Sequence, residues 1–143
     1  WKELKPRTFD LITCLEVVEH MRPESCVKVF RGALSLVAPG GRFVVSTPVF
    51  NGKAALNHVN EMTVQQMKDL IEKTGWKIVK RFGTFASYND IKKIATPDQM
   101  KLVDQLREYY SYEVLACFLA PLYPDYSRNN LWILKPKYEE DFL

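Results

Sequence analysis

Two glutamates and a histidine stand close together in the stretch CLEVVEHM, Cys14 to Met21. If a helical turn starts just after Leu15, then Glu16, Glu19 and His20 fall at i, i+3 and i+4 and share one face. Two carboxylates and an imidazole so placed suit a hard or borderline divalent cation such as Mg²⁺, Mn²⁺ or Zn²⁺. The same groups suit acid/base work or contact with a polar substrate, with Glu19 and His20 as the catalytic residues. A third reading needs no function: glutamates near a helix N-terminus are stabilised by its dipole, and a histidine at a strand end can be structural. A second histidine, His58, lies in a later loop, and a loop histidine beside a helix cap can be structural.

Whatever the cluster does, its flanking elements must hold it. FDLITCL, Phe9 to Leu15, is mostly apolar and reads as a strand covered on both faces. PESCVKVFRGALSLVAPGG reads as a helix, with Pro23 at its first position and Val27, Phe30, Leu34 and Val37 at helical spacing. PGG, Pro39 to Gly41, should end it. GRFVVSTPV is the next strand, stopped by Pro48, and FNGKAALNHVNEM is an irregular loop. Thr63 caps a second helix, with Gln66 in the capping-box position, Val64, Met67, Leu70 and Ile71 as its buried stripe and Gly75 at its end. WKIVKRFGTFAS is a third strand. This alternation predicts βαβ units, a mostly parallel sheet and helices on both faces.

In such sheets ligands bind beyond the carboxyl ends of the strands. Here those ends also carry Ser46, Thr47, Asn51, Lys53, Asn57, Thr84 and Ser87. The rest of the chain is different in character. NDIKKIA is a short helical piece. A helix follows with Thr96 as cap, Pro97 at its first position and Gln99 completing a capping box. YEVLACFLAPLYPDYS is a helix broken by Pro121, NNLWILKP a last strand, and KYEEDFL a polar end. Tyr109, Tyr110, Tyr112 and Tyr123 read as core in preference to a cap over an aromatic substrate. Arg128, Asn129 and Asn130 are a further candidate pocket edge.

The 143 residues suffice for one domain with a core, 1–143. The net charge of +3, with no block of like charges, does not favour nucleic acid. Three cysteines form neither a CxxC pair nor an even framework, which suits reduced thiols in a cytoplasmic protein. No apolar run has the length of a membrane span, and no signal peptide is visible. The chain opens WKELKPRTFD, without methionine, and enters a strand almost at once, which reads as the later part of a longer protein.

FDLITCLEVVEHM, a helix before PGG, and RFVVSTPVFNGK together resemble the second half of class I S-adenosylmethionine (SAM) dependent methyltransferases. Within that superfamily the likeness is to ubiquinone-biosynthesis-type O-methyltransferases, which carry a similar TC-apolar-E-x-x-EH segment, a PGG turn and an ST-x-x-x-NGK loop. HVNEMTVQQMKDLIEKTGW also resembles a common helix start of related enzymes. The likeness runs from about Thr8 to Val79.

The resemblance implies an α/β fold: the later strands of a partial Rossmann-like sheet, with the last strand antiparallel and inserted between the second and third. It leaves residues 88–127 as a helical insertion or lid before that strand. It implies SAM as cofactor, with Leu15 against it and Cys14 and Glu16 beside. It also implies a small-molecule acceptor methylated on a hydroxyl oxygen. In the small-RNA 3′-end methyltransferases a similar E-x-x-EH and a later histidine bind a metal, which would make Glu16, Glu19, His20 and His58 the ligands and a nucleic-acid ribose an alternative acceptor. The glycine-rich SAM turn and the acidic ribose-binding residue are not in these 143 residues. The expectation is that upstream sequence or a partner supplies them. Otherwise the domain is a truncated binding or structural module.

Overall fold

The computed structural model describes residues 8–86, 88, 91–92 and 95–138. Ser87, parts of NDIKKIA and the end of KYEEDFL lie outside the described residues. The chain forms two compact units, one of Phe82–Asn130 and one of the remainder. Each is described by itself.

The apolar, β-branched stretches become four strands: β1 (Phe9–Leu15), β2 (Val37–Pro48), β3 (Trp76–Gly83) and β4 (Asn129–Pro136). Their order in one sheet is β1-β2-β4-β3. β1 and β2 pair in parallel. β4 runs antiparallel to β3: the Thr84 N–H donates to the Asn129 carbonyl (3.0 Å) at one end and the Lys137 N–H to the Gly75 carbonyl (3.0 Å) at the other. The fold is therefore the expected α/β sheet with a reversed, inserted last strand.

Two helices connect the strands of the first unit, α1 (Pro23–Leu34) and α2 (Val64–Lys73). Thr63 and Gln66 form the capping box that starts α2. Phe30 and Ala33 of α1, Met67 and Ile71 of α2, Phe43 and Val45 of β2, and the tryptophans Trp76 and Trp132 share one core. The rings of Phe30, Phe43 and Trp76 follow one another at 5.1 Å spacings, and the indole N–H of Trp76 is satisfied by the Phe30 carbonyl at 3.0 Å.

Both helices thus cover one face, which corrects the expectation of helices on both. Right-handed crossovers that step across a sheet in one direction land on the same side, and both connections here step from β1 toward β3. The other face of β1 is open among the described residues, with Leu11 58% and Leu15 50% exposed. β1 is an edge strand and is not covered on both faces as its composition suggested.

PGG does not end α1. The helix stops at Leu34, the Leu36 carbonyl accepts from the Phe9 N–H (2.9 Å), and Val37 already pairs with Phe9. Val37 is consequently a strand residue and not part of the helical stripe. From Phe9↔Val37 to Leu11↔Arg42, β1 advances two residues and β2 five, so Pro39–Gly41 bulges out of the pairing. Gly40 has φ +78°, and a Cβ on Gly41 would come within 2.9 Å of the Phe9 carbonyl.

In the second unit, Thr96 and Gln99 form the capping box of α3 (Pro97–Leu106), and α4 (Tyr112–Leu119) gives way to 3₁₀ turns around Pro121 and Pro124. Tyr109 and Tyr110 are 80% and 50% exposed and are not core. The reason is that α3 ends at Leu106, so helical spacing no longer applies to them. No helix among the described residues is long and apolar enough to cross a membrane.

Candidate metal centre

β1 and β2 are parallel and in register at their carboxyl ends, where Leu15 pairs with Ser46. The next residue, Glu16, takes φ +53°, a left-handed conformation uncommon for a side chain with a Cβ. Its N–H donates to the Ser46 carbonyl (3.0 Å), and its carboxylate accepts from the Ser46 hydroxyl (2.7 Å). The helical turn expected directly after Leu15 begins later, as a 3₁₀ turn at Val18–His20. Glu16 therefore leaves the face that Glu19 and His20 share and is held by Ser46.

Glu19 is 1% exposed. A buried carboxylate is costly unless compensated; the Thr47 hydroxyl donates to it at 3.4 Å, and the His20 Nε2 lies 3.8 Å away. The backbone of Glu19 does a second job. Its carbonyl accepts from the N–H groups of Val59 (2.9 Å) and Asn60 (3.0 Å). The loop carrying those residues is closed at its base, where Val49 bridges Met62 and the Phe50 N–H reaches the Met62 carbonyl at 2.9 Å. Hung on Glu19 in this way, the loop brings in His58. One ligand atom each of Glu19, His20 and His58 lies within 4.8 Å of the others.

The hydrogen bonds of the two imidazoles define what they offer. Nδ1 of His20 lies 3.0 Å from the Asn57 carbonyl, and Nδ1 of His58 lies 2.5 Å from the Glu61 carboxylate. Carbonyl and ionised carboxylate oxygens only accept, so a neutral ring in either place carries its proton on Nδ1 and keeps a lone pair on Nε2. Two Nε2 lone pairs and one buried carboxylate form a donor set that fits a divalent cation. The match is in the chemistry of the donors: two imidazoles oriented through their other nitrogen, and an oxygen ligand already removed from water.

Of the other residues singled out in the sequence, Leu15 stands open at the end of β1. Cys14 is half-buried, and burial, with the neighbouring Cys26 and Glu19 carboxylate, pushes its thiol up. It is a protonated neighbour of the cluster. Asn57 contributes its backbone carbonyl and not its amide. Asn51 and Lys53 are exposed. Thr84 and Arg128 are engaged within the second unit, Thr84 with the Asn129 carbonyl and the Arg128 N–H with the Phe85 carbonyl at 2.7 Å. Asn130 is buried there, its amide donating to the Pro124 carbonyl at 2.9 Å. Glu61 was not singled out; the available signal was a glutamate three residues after a loop histidine and immediately ahead of the Met62–Thr63 helix cap.

The arrangement can be set beside known proteins. No family model matches the chain. Over 54 residues it is 44% identical to the ubiquinone biosynthesis O-methyltransferase of Pseudomonas putida (strain W619), a stretch covering 38% of this chain and 22% of that protein. The chain thus spans about a fifth of the curated relative it matches. Among solved structures, a SAM-dependent methyltransferase from Archaeoglobus fulgidus superposes with a TM-score of 0.58 at 16% identity, over 94% of this chain and 62% of that one. The O-methyltransferase from a trans-AT PKS multienzyme of Brevibacillus brevis, in complex with S-adenosyl-L-homocysteine, superposes with a TM-score of 0.53 at 19% identity, over 92% and 45%. The chain has the fold of the class I SAM-dependent methyltransferases. Its local sequence likeness is to the ubiquinone-biosynthesis O-methyltransferases.

Proposed function

We propose that this chain forms the acceptor side of a SAM-dependent O-methyltransferase, with a small-molecule hydroxyl as acceptor and a divalent cation held by Glu19, His20 and His58. The observation that carries this reading is the convergence of one buried carboxylate and two oriented imidazoles at the carboxyl ends of β1 and β2, where ligands of α/β sheets bind. The names of the relatives, methyltransferases acting on oxygen, agree with it, and the net charge of +3 favours a small molecule over nucleic acid.

When bound, a divalent cation supplies Lewis acidity to an acceptor hydroxyl, and SAM supplies the methyl group. The chain's own residues do the positioning. Glu19, fixed by the backbone bonds from Val59 and Asn60, keeps the loop and the turn together. Asn57 and Glu61 orient the two rings. Leu15, with Cys14 and Glu16 at its sides, would face the cofactor in this reading. The remaining SAM-binding elements come from outside these 143 residues. Proximity and orientation then account for most of what a methyltransferase must add.

The 42% exposure of the His20 side chain favours a second reading, in which its Nε2 takes the acceptor proton directly without a metal. One experiment separates the two. Methyl transfer from SAM by the native-length protein is measured in chelator, and again with Mg²⁺, Mn²⁺ or Zn²⁺ restored. Loss and recovery support the metal reading. Full activity in chelator supports His20 as base. No SAM binding by calorimetry refutes both and leaves a non-catalytic module.

A further inference from the structure

The residue that best accounts for the aim of His58 is one that touches neither cofactor nor acceptor in the reading above. We infer that Glu61 is a positioning residue that locks His58 in the Nδ1–H tautomer and so presents its Nε2 to the Glu19–His20 pair. Its place at the metal rests on the proposed function; its control of the tautomer does not.

The side chain of Glu61 is fully buried and that of His58 is 15% exposed. Taking a carboxylate out of water is costly unless hydrogen bonds compensate it. Glu61 Oε1 is so compensated. It accepts from the backbone N–H of Ala55 (3.0 Å) and from the His58 ring at Nδ1 (2.5 Å). The Ala55 bond matters to the argument because it fixes the carboxylate independently of the histidine. The His58 N–H in turn is bound to the Ala55 carbonyl at 3.0 Å, so acid and ring are tied to the same residue of the loop. With the acid fixed and able only to accept, the neutral ring has one favourable tautomer. Asn57 does the equivalent for His20 through a backbone carbonyl. The site therefore uses one side-chain carboxylate and one main-chain carbonyl to leave two Nε2 atoms bare. An acid paired with a metal-ligating imidazole also raises its basicity, and losing such a partner weakens metal binding by about 10–100-fold.

A purely structural role, tying down the loop, predicts something different, because it is indifferent to which nitrogen carries the proton. The test is imidazole ¹⁵N NMR of the native-length protein without metal, at a pH where the ring is neutral, on wild type, Glu61→Gln and Glu61→Leu. The expected result is an Nδ1–H pattern for His58 in wild type, kept in Glu61→Gln, whose side-chain oxygen can still accept from both Ala55 and the ring, and lost in Glu61→Leu, which offers no acceptor. Should Glu61→Leu not fold, Glu61→Ala takes its place. Wild type in the Nε2–H form, or an unchanged pattern in a folded variant without the oxygen, overturns the inference. Mn²⁺ binding followed by electron paramagnetic resonance on the same proteins should weaken about 10–100-fold in Glu61→Gln. If the tautomer shifts as expected but wild type binds none of Mn²⁺, Mg²⁺ or Zn²⁺, the metal reading fails while the role of Glu61 in orienting His58 stands.

Discussion

The imidazole rings of His20 and His58 meet edge to face, with centroids 4.7 Å apart and planes at 86°. They come from opposite sides of a crossover: His20 follows β1, and His58 precedes α2. Edge-to-face packing keeps the rings from stacking flat, so their ring nitrogens can approach one point from different directions. A carboxylate oxygen of Glu19 lies within 4.8 Å of a nitrogen of each ring. Glu19→Gln keeps the shape and the backbone bonds while removing the charge. We expect the melting temperature to change little and methyl transfer to fall by about 100-fold or more, beyond the loss typical of an outer-shell partner. Initial rates and thermal melts of the same preparations decide this; near-normal turnover would remove Glu19 from the machinery.

Thr63 closes the loop that carries His58 as well as starting α2. Its hydroxyl accepts from the Gln66 N–H (3.2 Å), and the Gln66 side chain accepts from the Thr63 N–H (2.9 Å). Thr63→Ala should cost about 1 kcal/mol, read as a lower urea midpoint with an unchanged slope. A change below the error of the measurement would mean that the cap contributes nothing to stability.

Gly83 ends β3 against the second unit's own turn. A Cβ there would meet the Ser127 hydroxyl and the Ala120 carbonyl. Ser127 is committed, since its hydroxyl donates to the carbonyls of Tyr123 (2.9 Å) and Ala120 (3.3 Å). Gly83→Ala should therefore destabilise by about 1–3 kcal/mol, the usual range for overpacking. Differential scanning calorimetry measures it, and an unchanged melting temperature would contradict the close packing.

The thiols should separate by reactivity. Burial raises Cys14, with Cys26 and Glu19 adding to the effect; burial also raises Cys26, partly offset by the hydrogen bond from Asn60. Cys117 is exposed. The thiolate is the reactive form, so near pH 8 an alkylating reagent should modify Cys117 fast and the other two slowly, as mass spectrometry can follow. The same shift has a consequence for stability. The folded thiols hold protons that the unfolded chain releases near pH 8.5, so their contribution is complete below about that pH and falls as pH rises through the folded values. Equal rates at all three cysteines would refute the burial of Cys14 and Cys26.

Much of this architecture could be read from the residues. Phe9–Leu15 and Asn129–Pro136 are strands with the bounds their composition suggested, and both threonine capping boxes form. These features are local, set by spacing and by which side chains reach which backbone groups. What escaped depends on the path of the backbone. Helical spacing puts Glu16 beside Glu19, and one residue at φ +53° sends it to Ser46 instead. Pro39–Gly41 looked like a helix stop because its conformational freedom suits a cap as well as a bulge, and only the pairing with β1 distinguishes them. The part played by Glu61 rests on burial, which its polar loop does not advertise.

The strand order has a consequence for how the chain is made. Among the described residues β4 is the last element in sequence, yet it occupies the place between β2 and β3. During synthesis the two older strands must wait, their facing edges unpaired, until residues 129–136 leave the ribosome. The groups from Glu16 to Glu61, in contrast, need only the earlier pairing of β1 with β2 to find one another. A nascent chain stalled before Asn129 should then hold the histidine cluster in place around an unfinished sheet, a state in which chaperone contact would be expected along β2 and β3 and not at the cluster. Crosslinking of stalled chains at Val44 and Val79, compared with His58, would show whether assembly follows that order.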